Sequence, residues 1–142
     1  MEFQKITEAE AKTLASQLLA SLESLTMATV GKNGEPNVRC MAVGAMDGID
    51  TLWFSTSAQS EKVAELKANP MSALYGFHPE QMSEVRLYGT VELLTDRKSR
   101  ERVWKEEYKQ YWPEGIASPD MMVMKFTVKR GHYSGNGMTG SF

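Results

Sequence analysis

The chain has 142 residues, 42% of them hydrophobic and 24% charged, with a net charge of −2; that is the make-up of a water-soluble globular protein of one domain's size. Such a weakly acidic balance offers no basic stripe for nucleic acid. The one cysteine, Cys40, excludes an internal disulfide, and two histidines leave little for a zinc site.

The opening segment, MEFQKITEAEAK, is polar and acidic and lacks the basic region and apolar run of a signal peptide. No apolar stretch approaches membrane-spanning length. The expected location is therefore cytoplasmic. Thr7 and Glu10 have capping-box spacing, and Ala11, Leu14, Leu18 and Leu19 recur at helical spacing, which predicts an amphipathic helix over 8–21. Leu25 to Val30 alternates as a strand. Asn33-Gly34 marks the turn into a second strand over 37–46, and Asp47-Gly48 the turn into a third over 51–56. A short helix carrying Val63, Leu66 and Lys67 stops near Asn69-Pro70. Strands follow at 71–77 and 84–94. Asp96 can cap a helix over 97–109 with Val103, Trp104 and Tyr108 on its apolar face. A loop over 111–120 leads to a last strand, 121–128. Residues 1–7 and 135–142 read as loose termini.

Hairpin-linked strands in a chain this small favour an antiparallel barrel with peripheral helices, because closing a sheet removes its edges. No repeat or linker interrupts the pattern, so residues 1–142 read as a single domain. The ten methionines read as flexible core filler.

The chemistry concentrates in residues 37–62. Strand alternation puts Asn37, Arg39, Met41 and Val43 on one face and Val38, Cys40 and Ala42 on the other. The third strand ends in hydroxyls, Ser55, Thr56 and Ser57, and the helix after it opens with Ser60 and Lys62. A helix N-terminus gathers unpaired N–H groups and partial positive charge, and cations and hydroxyls beside it suit a dianionic phosphate. Each residue also has an ordinary reading. Arg39 could be a solvated arginine or a surface ion pair. Lys62 could be an exposed lysine beside a glutamate, although a cation in a first helical turn opposes the helix dipole. Ser60 could be a plain N-cap. Cys40 lies mid-strand with no histidine nearby in sequence, as an inert small apolar side chain would. His78 and His132 form no visible triad with it, and His78 precedes Pro79 in a turn.

Arg39-Cys40-Met41, Trp53-Phe54-Ser55-Thr56, Ser60-Glu61-Lys62 and Val85-Arg86-Leu87-Tyr88-Gly89-Thr90-Val91-Glu92 occur in this order. In this the chain resembles the pyridoxamine 5'-phosphate oxidase-like family, the split barrels that bind flavin mononucleotide (FMN). The segments Tyr111-Trp112-Pro113-Glu114-Gly115 and Ser118-Pro119-Asp120 are similar to the short bacterial branch known as general stress protein 26. The likeness runs from about residue 8 to residue 134. It implies a mainly β, Greek-key-like antiparallel FMN-binding split barrel, assembled as a homodimer with the cofactor at the interface. Arg39, Ser60 and Lys62 would then hold the phosphate. Met41, Phe54, Ser55 and Thr56 would line the ring and ribityl chain. Glu84, Arg86 or Trp112 would reach in from the other chain, although Trp112 could equally pack under its own loop and Trp53 reads as core. Glu84 stands where related oxidases carry a glutamine, and an ionised carboxylate has no donor to offer a flavin.

The resemblance implies flavin-based oxidoreduction with a small-molecule donor or acceptor, no protein side chain acting as the catalyst, and no metal. An oxidase of pyridoxamine phosphate itself is not expected, because the chain ends in Gly-Asn-Gly-Met-Thr-Gly-Ser-Phe where that enzyme carries an arginine- and histidine-bearing motif. Other readings are a non-catalytic flavin module, a cofactor-free dimer used for interaction, or a split barrel holding haem or the deazaflavin F420.

Overall fold

The Thr7 hydroxyl accepts a hydrogen bond from the Glu10 amide at 3.1 Å, and the Glu10 carboxylate accepts one from the Thr7 amide. This reciprocal capping box opens helix α1 (Glu8–Ala20), which buries Ala11, Ala15, Leu18 and Leu19. The computed structural model describes residues 2–142. Two further helices, α2 (Glu61–Ala68) and α3 (Arg97–Val103), flank one sheet of nine strands. The strands are β1 (Gln4–Lys5), β2 (Ser24–Val30), β3 (Pro36–Ala42), β4 (Ala45–Asp47), β5 (Thr51–Ser57), β6 (Met71–His78), β7 (Ser83–Leu94), β8 (Met121–Gly135) and β9 (Met138–Ser141). No helix among the described residues is long and apolar enough to cross a membrane.

The sheet runs β1-β9-β8-β7-β6-β2-β3, and its pairs are antiparallel except that β1 lies parallel to β9. Strand β8 serves three neighbours because it is long. Met121 to Thr127 pairs with β5, His132 to Gly135 pairs with β9, and β7 takes the other edge. The β7–β8 register shifts at Tyr88/Gly89. A Cβ on Gly89 would sit 1.9 Å from the Thr127 carbonyl oxygen, so only glycine lets the two backbones meet at this bulge.

The main core lies between α1 and the curled sheet and contains Leu19, Leu25, Met27, Phe54, Leu74, Leu87, Met124 and Phe126. A second cluster under α3 joins Trp53, Val103, Trp112, Met121 and Val123. Five methionines, Met27, Met41, Met121, Met122 and Met124, are buried as core filler, whereas Met71 and Met82 are exposed.

Three boundaries and the burial of one residue differ from those expected. The tail is not loose. Strand β8 continues to Gly135, and a two-residue turn with positive φ at Asn136 and Gly137 returns the chain as β9. The amide and carbonyl of Gly131 pair with those of Phe142, and β9 in turn holds β1. The expected strand over 37–46 breaks at Val43-Gly44 into β3 and β4. The expected helix over 97–109 ends at Val103, because Trp104 turns extended to pack on Tyr108, and a short 3-10 turn over Glu106–Gln110 follows. Cys40 is exposed rather than buried, because the outer face of β3 carries no covering layer.

Candidate functional site

Strand β3 aims Arg39 inward between β2 and α2, as the alternation predicts. The guanidinium donates from Nη1 to the Thr29 hydroxyl at 2.7 Å and to the Met27 carbonyl at 3.2 Å, and from Nη2 to Glu65 Oε1 at 3.2 Å. Glu65, on α2, is only 8% exposed. Its carboxylate also accepts from the Thr29 hydroxyl at 2.7 Å and from the Asn37 side-chain amide. The Thr29 hydrogen bond, then those of Asn37 and the charge of Arg39, hold the Glu65 carboxyl below the usual glutamate range against the opposing effect of burial. Arg39 is thus half-buried and paired with a buried carboxylate rather than in a surface pair.

Three residues, Ala58 to Ser60, separate the hydroxyl-rich end of β5 from α2. Lys62, in the first turn of α2, donates from Nζ to the Thr56 hydroxyl at 2.9 Å. Burial, and next the positive charge of Arg39, lower the Lys62 pKa. The two cations, from β3 and α2, therefore feel each other. Ser60 is the N-cap of α2 in extended conformation, yet its side chain makes no capping bond. Its Oγ is buried and has no hydrogen-bond partner among the described residues. A buried, unpartnered hydroxyl two residues before a half-buried lysine, at a helix start with free amides, fits an anionic oxygen acceptor such as a phosphate.

Ser55, Thr56, Ser57, Gln110, Tyr111, Trp112 and Asp120 line a cleft of about 550 Å³ next to this corner. The Trp53 carbonyl accepts from the Gly44 amide on the β4 side, where the ladder ends. Ser55, two residues on, presents its backbone to the same, now open, edge. Asp120 braces the opposite wall by accepting from the Ser57 hydroxyl at 2.8 Å and from the Trp112 indole N–H at 3.3 Å. Trp112 is 6% exposed, packed edge-on against Tyr108 and Tyr111 of its own loop. It therefore stands beside Ser55 and Thr56 of the same chain.

Two of the residues expected along the ring, Met41 and Phe54, are not among those lining this cleft. Phe54 is fully buried in the main core and Met41 is buried in it as well. Neither side chain faces the cleft.

Glu84 and Arg86 are not brought to this corner. They lie on β7, paired with the far half of β8, in a row across the outer sheet face: Tyr75 opposite Arg86, Arg86 opposite His132, His132 opposite Ser141. Burial, then the adjacent Glu84 carboxylate, raises the Tyr75 pKa. Burial and then Arg86 lower that of His132, with Glu84 opposing. The row sits among exposed Val38, Met71 and Phe77.

The residues that sequence reasoning missed are Glu65, Thr29 and Asp120. Only a carboxylate at buried spacing on α2, next to Val63 and Leu66, hinted at the first.

A sequence profile described as pyridoxamine 5'-phosphate oxidase matches residues 11–135. The chain belongs to this family. It is 33% identical over 113 residues to a pyridoxine/pyridoxamine 5'-phosphate oxidase of Pseudomonas entomophila, a match covering 76% of this chain and 49% of that protein. The matches thus span between about a third and a half of the length of the curated relatives. Among solved structures, a protein of Clostridium acetobutylicum related to general stress protein 26 superposes with a TM-score of 0.83 at 31% identity, covering 96% of both chains. A pyridoxamine 5'-phosphate oxidase-related, FMN-binding protein of Nostoc punctiforme shares the fold at a TM-score of 0.68 and 17% identity, over 86% of this chain and 78% of its own. So does a haem-binding protein of Mycobacterium smegmatis, at 0.74 and 19%, over 96% of this chain and 58% of its own. The expected split barrel is this family's fold.

Proposed function

We propose that this family member is an FMN-binding flavoprotein that acts as an oxidoreductase on a small-molecule partner. The observation that carries the reading is the Ser60 hydroxyl, buried and unpartnered at the helix start where the half-buried Lys62 feels the charge of Arg39. A phosphate there would accept from Ser60, Lys62, Arg39 and the first-turn amides of α2. Ser55 and Thr56, along the open edge of β5, would meet the ribityl chain and ring, with Trp112 closing the cleft. The flavin, when bound, supplies the redox chemistry, and the protein binds and orients it and limits access of water.

The same reading includes a homodimer. The row Tyr75-Arg86-His132 and its apolar surroundings form the face that a second copy would cover, which would carry Glu84 and Arg86 to the flavin of the other protomer. An ionised Glu84 only accepts hydrogen bonds, so Arg86 is the donor of the two.

The kinship with a haem-binding fold makes haem the second reading. Both histidines weigh against it. His132 uses both ring nitrogens on the hydroxyls of Ser141 and Thr139, and His78 Nδ1 accepts from the Gln81 amide in a turn.

The test is a fluorescence titration with FMN, beside the absorption spectrum of the protein as purified and its sedimentation velocity. Saturable quenching with one FMN per chain on a dimer, and two flavin bands, is expected. A featureless spectrum without FMN binding overturns the reading, a Soret band replaces it with haem, and tighter binding of F420 replaces the cofactor. Oxidation of NAD(P)H by the loaded protein separates a reductase from a flavin-holding module.

A further inference from the structure

We infer that Glu65 is a positioning residue for the anion site, acting through Arg39; the inference rests on the phosphate reading above. A guanidinium offers five N–H donors on two usable edges, one formed by Nη1 and Nη2 and the other by Nε and Nη2. In this chain the first edge is occupied from within. Nη1 reaches the Thr29 hydroxyl and the Met27 carbonyl, and Nη2 reaches Glu65 Oε1. Nε donates to nothing among the described residues. What remains is Nε–H and the second N–H of Nη2, a fork that can grip two oxygens of one phosphate.

The clamp is braced on every side. Thr29 is 2% exposed, and its hydroxyl accepts from Arg39 while donating to the same Glu65 oxygen at 2.7 Å. Asn37, two residues before Arg39 on β3, donates to the other oxygen. Gly31 packs so closely that an added Cβ would lie 2.9 Å from Glu65 Oε2 and 2.6 Å from Asn37 Nδ2. Glu65 therefore has one position, and the Arg39 side chain inherits it. A carboxylate this near a phosphate site should repel the anion if Coulomb attraction alone governed binding. Its retention at the guanidinium's rear edge makes sense when orientation of the front edge matters more than the added charge.

The test compares Glu65→Gln with the wild type for FMN and for riboflavin, which lacks the phosphate, and repeats the pair in an Arg39→Gln background. The expected result is FMN affinity lowered about tenfold with riboflavin affinity unchanged, and no further loss when Glu65→Gln is added to Arg39→Gln. Tighter FMN binding by Glu65→Gln, equal losses for FMN and riboflavin, or a full loss persisting without Arg39 each overturns the inference. If Glu65→Gln does not fold, Thr29→Val removes one strut of the same clamp and is read by the same comparison. Failure of the wild type to bind FMN overturns the underlying phosphate reading, whereas wild-type binding with an unaffected Glu65→Gln overturns only the positioning role.

Discussion

Lys62 Nζ lies 2.9 Å from Thr56 Oγ1, so a cation on the first turn of α2 is tied back to the last inward hydroxyl of β5. The contact ties the strand end to the helix start. It also keeps a positive charge where the helix dipole disfavours it.

Replacing Lys62 by methionine removes a charge-assisted contact of about 1.5–3 kcal/mol, and FMN affinity should fall tenfold or more. The wild-type affinity should also decline at high pH. Burial and Arg39 lower the lysine's pKa in the free protein, so the decline begins below the ordinary lysine value of about 10.4. Titrations between neutral and alkaline pH check this; Lys62→Met should bind weakly with no such decline.

Arg39→Ala should weaken FMN binding about tenfold or more and also destabilise the apoprotein by ~3 kcal/mol, because it leaves Glu65 buried without its counter-ion. Urea denaturation measures the second effect. Its pH dependence follows from the direction of the Glu65 shift. The folded carboxyl titrates below its unfolded value of about 4.3, so its stabilisation is complete above that value and is lost as pH falls through the lower, folded one. The gap between wild type and Arg39→Ala should narrow on acidification.

His132 makes a second, separate pH effect. Burial and Arg86 lower its folded pKa, opposed by Glu84. Protonation is thus harder in the folded state, and stability is greatest above the ordinary value of about 6.5 and falls as pH drops from there through the depressed one. Thermal melts across that window should show a slope that His132→Asn flattens and Arg86→Gln reduces.

The tail is structural. Deleting residues 137–142 removes β9, strips β1 of its sheet partner and takes Phe142 off Gly131, where the ring atoms lie 2.4 Å from where a Cβ would stand. A loss of at least about 2 kcal/mol is expected in urea denaturation. An unchanged midpoint would mean that the tail is dispensable after all.

Much of this protein was written locally. The Thr7 capping box, the turn at Asn33-Gly34, the alternation that turns Arg39 inward and Cys40 outward, and the grouping of Arg39, Ser60 and Lys62 each depend on residues a few positions apart, or on motif order along the chain. Local chemistry also held the signal for β9 in Asn136-Gly137, a hairpin turn whose second strand is short and rich in glycine and serine and so lacks an apolar pattern. The partners of Arg39 could not be read in this way. Glu65 lies 26 residues away on another element, and Asp120 meets Ser57 from 63 residues on. The inward placement of Phe54 was equally hidden, because β5 is buried on both faces over Leu52 to Phe54 and such a strand shows no alternation to say which side chains meet a ligand. Sequence fixes which groups exist and which way a strand turns them. Only the folded, curled sheet decides which buried donor meets which acceptor, since burial makes an unpaired polar group costly and so selects one mutual arrangement.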